Sequence, residues 1–473
     1  MFTAGLFHAL SGQVAAEDGG QERTQNKMEM NMRKAALHNL GCKVNEYELE
    51  AMRELLEHAG YEIVPFAPGA DVYVINTCTV TNIADRKSRQ MLHKAKKMNP
   101  RAVVCAVGCY AQIKGQELEK DPAIDLVIGS SRKGDLVREI EQFLTDGGCK
   151  HTDVENVRRD NEFEELEHGR AADHNRSFVK IQDGCSQFCS YCIIPYARGR
   201  VRSRKIEDVL EEIRTLADQG CQEVVLTGIH LGSYGTDLGP EEDMQTLIER
   251  TADISGIERI RLGSLEPRTL TEEFIRRIAE IPKVCPHFHL SLQSGCDRTL
   301  KRMNRHYTAE DFRTTVRLLR KYYDRPALTT DVITGFPGET EEDFEESRAF
   351  IEEMHFFETH VFPYSRREGT RAAAFPDQIT EKIKKERSRC LLELDKERRR
   401  QYMEQFLDQP QRVLIEEKTE RNGLACWYGH TERYIKIYCE SSLDLADRIV
   451  TITPKVLMDD AMSGTLAFIS ARG

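Results

Sequence analysis

Phe178-Val-Lys-Ile-Gln-Asp-Gly-Cys185-Ser-Gln-Phe-Cys189-Ser-Tyr-Cys192 joins a short strand pattern to three cysteines spaced C-x3-C-x2-C. Thiolates are the usual protein ligands of iron–sulfur clusters. Three of them on one loop can hold three irons of a cubane and leave the fourth iron open to a substrate or cofactor. A structural zinc site is normally closed by four protein ligands. No fourth cysteine or histidine stands within a few residues of this loop, which weighs against a zinc knuckle; three unrelated thiols is the other plain reading.

Five more strand patterns follow, separated by helical ones: Glu223 to Thr227, Arg259 to Gly263, His287 to Leu292, Ala327 to Ile333 and Glu358 to Tyr364. Six strands with a cysteine loop after the first suit a parallel, partial (βα)6 barrel over residues 176–405. Upstream, Cys42, Cys78 and Cys109 each end a short, mostly apolar run. They lie about one βα repeat apart, with helical patterns from Asn45 to Ala59 and Ile83 to Lys97 between them. In an open parallel sheet, ligands bind outside the carboxyl ends of the strands. Three cysteines delivered to one such edge make a second three-thiolate site on an open α/β domain spanning 33–145. Cys105 lies inside the third strand and reads as core.

Residues 146–175 are polar and acidic and read as a linker. From 406 to 473 the pattern changes to five short alternating strands: Arg412 to Glu416, Leu424 to Tyr428, Tyr434 to Tyr438, Arg448 to Ile452 and Gly464 to Ile469. Their number and spacing suggest a small β-barrel of OB type. Residues 1–32 lack pattern and read as a disordered extension or an upstream start chosen in error.

Fourteen cysteines in 473 residues make no disulfide scaffold, so metal binding or catalysis in a cytoplasmic protein is the better reading. No apolar stretch approaches the ~20 residues of a membrane helix. The 67 basic against 78 acidic residues exclude nucleic-acid binding by bulk charge. Local clusters remain: Arg86, Lys87, Arg89, Lys94, Lys96 and Lys97 after Cys78, and Arg198, Arg200, Arg202, Arg204 and Lys205 after Cys192. Phosphate contacts need only such patches, although a solvated face explains any one of them equally well. The mixed-charge run from Lys382 to Arg400 reads as an ordinary exposed helix.

The C-x3-C-x2-C loop, with an aromatic residue before its last cysteine, resembles the radical S-adenosylmethionine enzymes. Over residues 33 to 473 the chain resembles one family among them, the methylthiotransferases. The resemblance is carried by Leu40-Gly-Cys-Lys-Val-Asn45, Asn76-Thr-Cys-Thr-Val80, Gly108-Cys-Tyr-Ala-Gln112 and Gly184-Cys185 through Pro195. The final barrel resembles the TRAM module, which binds RNA. The motifs from Asn76 to Gln90 and Cys189 to Arg204 look like the subgroup acting on N6-threonylcarbamoyladenosine at position 37 of tRNA. Sister subgroups act on isopentenyladenosine in tRNA or on a ribosomal protein.

The resemblance implies two 4Fe–4S clusters, one on Cys42, Cys78 and Cys109 and one on Cys185, Cys189 and Cys192. It also implies S-adenosylmethionine as cofactor, the anticodon loop of tRNA as partner, and an electron donor and a sulfur source that the sequence does not identify. C2 of adenine carries an unactivated C–H bond that no positioned acid or base makes reactive, so a radical cofactor must do the work. Tyr191 is expected near the adenine of S-adenosylmethionine. Thr227 and His230, after the second barrel strand, Ser264 and Glu266, after the third, and Gln293, ending the fourth, are further candidate contacts; each could equally be a turn residue. Arg198, Arg200, Arg202, Arg204 and Trp427 are candidate RNA contacts, with Tyr428, Arg433 and Lys436 beside them. Two other classes stay open: a single-cluster radical RNA methylase and a non-catalytic iron–sulfur RNA-binding protein.

Overall fold

The computed structural model describes residues 32–158, 160, 162–166, 176–421 and 424–469. The expectation for residues 1–32 therefore falls, but for Met32, outside the described residues.

The first domain alternates β1 (Lys34–Asn39), α1 (Lys43–His58), β2 (Glu62–Ile63), β3 (Val72–Thr77), α2 (Asn82–Met98), β4 (Val103–Gly108), α3 (Cys109–Glu119), β5 (Leu126–Ile128), α4 (Leu136–Thr145) and β6 (His151–Asp153). The strands form one parallel sheet in the order β2-β1-β3-β4-β5-β6. Alternate residues of β3 and β4 feed two cores: Tyr73, Ile75, Val104 and Ala106 pack under α2 and α3. Val72, Val74, Val103 and Cys105 pack under α1 and α4. Cys105 is core, as its position inside a strand indicated. The strand order reverses between β1 and β3, so their carboxyl ends open the crevice where such sheets place ligands.

The stretch read as linker is partly built into the fold. Its β6 joins the edge of the first sheet, where Val127 pairs with Thr152. Val157 and Leu166 are buried. Polar composition concealed this, because a three-residue edge strand leaves almost no periodicity.

The second domain runs β7 (Arg176–Asp183), α5 (Ile194–Arg198), β8 (Arg202–Ser203), α6 (Ile206–Asp218), β9 (Glu223–Gly228), α7 (Met244–Ala252), β10 (Arg259–Leu262), β11 (Ser264–Leu265), α8 (Glu272–Ala279), β12 (His287–Gln293), α9 (Asp297–Arg302), α10 (Ala309–Tyr322), β13 (Ala327–Thr334), α11 (Glu341–Met354), β14 (Glu358–Pro363) and α12 (Glu381–Glu404). Two four-stranded sheets, β10-β9-β7-β8 and β11-β12-β13-β14, meet where Gly263 alone separates β10 from β11. The result is an open, partial barrel of six βα units. Val179, Ile181, Val224, Leu226, Ile260, Phe288 and Leu290 face the helices and form the main core. The intervening residues face inward and are polar: Lys180, Gln182, Glu223, Arg261, His287 and His289.

The last domain is a closed barrel of β15 (Gln411–Arg421), β16 (Leu424–Thr431), β17 (Lys436–Glu440), β18 (Ile449–Leu457) and β19 (Met462–Ile469), in the order β15-β16-β17-β19-β18. It docks on the amino-terminal ends of the central strands. Arg259 donates to the carbonyls of Arg412 (2.9 Å) and His430 (3.1 Å), and Arg261 to that of Glu432 (3.0 Å). Buried Glu223 holds the arginines in place, accepting from Arg176 at 2.6 Å and Arg261 at 2.9 Å. No helix among the described residues is long and apolar enough to cross a membrane.

Candidate active site

Cys42, Cys78 and Cys109 stand immediately beyond the carboxyl ends of β1, β3 and β4, which are neighbours in the sheet. The strand ends are tied together. Asn45 Nδ2 donates to the carbonyls of Leu40 (2.8 Å) and Thr77 (3.1 Å), and Asn76 Nδ2 to that of Asn45 (2.7 Å). Ser88 Oγ donates to the Cys78 carbonyl at 3.1 Å. The second trio lies on the loop between β7 and α5. That loop begins at Gly184, whose φ of +71° and contact with the Arg200 carbonyl leave no room for a side chain: a Cβ would lie 1.7 Å from that oxygen. The loop is pinned at Ser190, whose N–H donates to the Met303 carbonyl (2.8 Å) and whose hydroxyl donates to that of Arg302 (2.8 Å).

All six cysteines are free of disulfides. Burial pushes the thiols of Cys78 and Cys192 up to about 12 and that of Cys185 up to about 11, with neighbouring cysteines adding to each. Cys78, Cys185 and Cys192 therefore hold their protons until a metal replaces them. Cations offset the thiolate charge that ligation creates: Arg198 Nε lies 3.2 Å from Cys109 Sγ, and Arg305 Nη1 lies 3.1 Å from Cys189 Sγ. Three converging sulfurs with a cation alongside fit a cluster with one open iron at each site.

Arg198 joins the two sites. It ends α5, six residues after Cys192, yet it reaches across the domain interface. Its guanidinium forks onto Glu48 of α1 (2.7 and 2.9 Å) and also meets Asp183 (3.1 Å) and Asn45 Oδ1 (2.8 Å). Lys180 (2.8 Å) and Lys133 (3.3 Å) complete the shell of Glu48. Burial alone would raise the Glu48 carboxyl, but Arg198, Lys133 and Lys180 outweigh it and hold the group well below the usual range. A second bridge covers Cys78, where Arg367 donates to Asp85 (2.8 Å), Asn82 (2.7 Å) and Thr79 (2.7 Å).

This corrects the reading of the basic segment as RNA contacts. Arg198, Arg202 and Arg204 are buried: Arg202 lies 3.6 Å from Asp160 and 3.8 Å from Asp183, and Arg204 pairs with Glu212 and with Glu165. Arg200 alone of the four is exposed. The other basic segment keeps its charge outward, since Arg86, Lys87, Arg89, Lys94 and Lys97 are exposed on α2. Trp427 is corrected as well. At 5% exposure it belongs to the core of the last barrel with Val413, Ile437 and Ile452. Alternation turns Tyr428 outward instead, where Lys436 Nζ lies 4.1 Å from its ring centre. Arg433 is occupied in docking, donating to the carbonyls of Arg325 and Asp324.

Of the candidate cofactor contacts, His230 and Glu266 meet each other at 3.3 Å, and Glu266 receives Arg305 at 2.5 Å. Arg305 thus links them to Cys189. Tyr191 packs edge-on against Phe336, with ring centres 6.4 Å apart, and Phe336 lies in the glycine-flanked turn after β13. Thr227 is buried at the end of β9, and Ser264 is exposed on β11. Gln293 closes β12 with a left-handed φ of +67°. Sequence reasoning missed Arg305 and Gln182. Gln182 Oε1 accepts from the His230 N–H (2.8 Å) and its amide donates to the Gly184 carbonyl (2.7 Å), locking the cysteine loop to the end of β9. The polar alternation Lys180-Ile-Gln182 inside a strand was the available signal for Gln182; Arg305 carried none.

The radical SAM superfamily model matches residues 179–351, and the model of an uncharacterized protein family, UPF0004, matches residues 34–129. The chain belongs to the radical S-adenosylmethionine methylthiotransferases. It is 41% identical to the threonylcarbamoyladenosine tRNA methylthiotransferase MtaB of Bacillus subtilis, over 89% of this chain and 93% of that protein. The enzyme of the same name from Aquifex aeolicus is 41% identical over 85% of this chain and 96% of its own length. A tRNA-2-methylthio-N(6)-dimethylallyladenosine synthase of Pelotomaculum thermopropionicum is 35% identical over 89% and 95%. Among solved structures, the radical S-adenosylmethionine methyltransferase TsrM of Kitasatospora setae shares the fold, with a TM-score of 0.52 at 18% identity over 70% of this chain and 72% of that one.

Proposed function

We propose that this protein adds a methylthio group to C2 of N6-threonylcarbamoyladenosine at position 37 of tRNA. The observation that carries the reading is that Arg198, six residues past the second cysteine trio, reaches Cys109 of the first and Glu48 across the domain interface. When bound, the clusters and S-adenosylmethionine supply the carbon radical, the sulfur and the methyl group. The protein's own residues hold and orient. Glu266, His230 and Arg305 form a polar rim beside Cys189, suited to the amino and carboxylate ends of S-adenosylmethionine. Gln182 and Gly184 keep the cysteine loop against the sheet. Arg198 keeps the two sites in register.

The exposed face of α2, Arg200, and the Tyr428, Tyr438 and Lys436 cluster of the last barrel support an RNA partner. An anticodon loop offers a base that can be splayed out of its stack, and aromatic faces stack such bases without regard to sequence. The 41% identity to two enzymes named for threonylcarbamoyladenosine favours that substrate over the dimethylallyl one. Nucleoside analysis of tRNA from cells with and without the gene tests it. The methylthio derivative of threonylcarbamoyladenosine should vanish in the deletion. Loss of the dimethylallyl derivative alone would overturn the substrate.

A further inference from the structure

One residue of the first cysteine motif has no part in the site just described. In Cys42-Lys43-Val44-Asn45, Cys42 is a ligand and Asn45 bonds to Arg198, whereas Lys43 is turned away into the open barrel. Its ammonium lies 6.0 Å from the centre of the Phe178 ring, which faces inward from β7. Among the described residues Lys43 has no carboxylate within ion-pair distance. Of the acids around it, Glu223 is already shared by Arg176, Arg259 and Arg261.

The far side of the same barrel interior has a polar wall. His289, Asp331 and His360 stand on adjacent strands β12, β13 and β14, with ligating atoms within 4.8 Å of one another. His289 Nδ1 meets Thr329 Oγ1 at 2.9 Å, which leaves its Nε2 toward Asp331 Oδ2 at 3.3 Å. The His360 ring stacks on that of His289 with centres 5.6 Å apart. These groups lie on inward-facing positions of the barrel, yet the side chains of Asp331 and His360 are 31% and 43% exposed, so the cavity is open. His287, two residues before His289, lies close enough to both Lys43 and His289 to be influenced by each. Two residues beyond His360, toward the cysteine end, Phe362 points the same way and is 44% exposed. A large aromatic left open inside a barrel is a ready stacking surface.

We infer that this wall is the pocket for the modified base: Phe362 stacks the adenine, Asp331 and His360 bond the ureido and hydroxyl groups of its threonine arm, and Lys43 takes the arm's carboxylate. The inference rests on the substrate proposed above and says how that substrate is chosen. A threonylcarbamoyl arm carries one carboxylate, one hydroxyl and two N–H groups. A dimethylallyl arm is hydrocarbon and would cover Lys43 and His360 without replacing the water they lose, leaving Asp331 only His289. Sites built from polar groups reject analogues that lack the matching atoms more strongly than apolar sites reject an extra group.

The test uses the full chain with both clusters and anticodon stem-loops that carry threonylcarbamoyladenosine, dimethylallyladenosine or plain adenosine at position 37. Wild type should bind the first stem-loop at least tenfold tighter than the plain one. Lys43→Met should lose most of that preference while still binding the plain stem-loop, and Lys43→Arg should keep it. Phe362→Ala should weaken all three stem-loops about equally. Iron is counted in every variant, so that a lost cluster is not taken for a lost contact. If Lys43→Met and His360→Ala both keep the full preference, the pocket is wrong although the substrate stands. If wild type prefers the dimethylallyl stem-loop, the substrate itself fails. A non-iron metal ion bound in wild type and lost in Asp331→Asn would also overturn the pocket, assigning the three side chains to that ion.

Discussion

Replacing Arg198 by methionine removes a side chain that starts six residues past Cys192 and reaches Cys109 across the domain interface. The guanidinium is fully buried and makes six polar contacts, two of them a fork onto Glu48. Removing one partner of a buried ion pair costs about 3–5 kcal/mol. Here Glu48 keeps Lys180 at 2.8 Å and Lys133 at 3.3 Å, and Asp183 keeps Lys180 at 2.7 Å, so neither carboxylate is left without a cation. The lower end applies, about 3 kcal/mol, which is roughly a hundredfold in an equilibrium. Amide hydrogen exchange in α1 and around α5 should therefore speed up about a hundredfold in the cluster-loaded variant. Adding Glu48→Gln should restore part of the protection, because the two changes share one network. The salt dependence of tRNA binding should keep its slope. The reasoning is refuted if protection stays within threefold of wild type while the slope falls by about one, because the arginine would then be serving a phosphate.

Arg200→Gln should lower that slope by about 0.7–0.9, one phosphate contact, whereas Arg202→Gln and Arg204→Gln should lower thermal stability instead. Iron analysis of anaerobic protein should find about eight irons; alanine at Cys185, Cys189 and Cys192 should leave about four and abolish 5′-deoxyadenosine formation, whereas alanine at Cys42, Cys78 and Cys109 should abolish only sulfur insertion. Arg305→Lys should raise the KM for S-adenosylmethionine about tenfold, the loss of one charge-assisted bond, read from 5′-deoxyadenosine formation against cofactor concentration. In metal-free chain, the Cys192 thiol, pushed up to about 12 by burial and by Cys189, stays protonated near neutrality. Its alkylation by iodoacetamide, followed by peptide mass analysis, should be far slower than that of exposed Cys149 at pH 8 and should still climb about tenfold per pH unit at pH 9 to 10.

The sequence by itself determined most of what depends on neighbours along the chain. The spacing of Cys185, Cys189 and Cys192 puts three thiols on eight residues, which need no other part of the molecule to come together. Cys42, Cys78 and Cys109 were legible one step further out: the βα period brings strand ends to one edge, and β1, β3 and β4 are indeed adjacent. The five alternating strands after residue 410 announced a small barrel for the same reason, since a period of two fixes which face is apolar. What only the tertiary structure decided is the use of charge and of aromatic surface. Arg198, Arg202 and Arg204 look like a phosphate-binding run, yet an arginine is free or spent according to its carboxylates, and the Glu48 that holds Arg198 lies 150 residues away. Trp427 and Tyr428 are equally aromatic in sequence, and only the closure of the barrel turns the first inward and the second out. Periodicity is a local property of the chain; the pairing of a buried charge is a property of the finished interior, where desolvation forces every ion to find its partner.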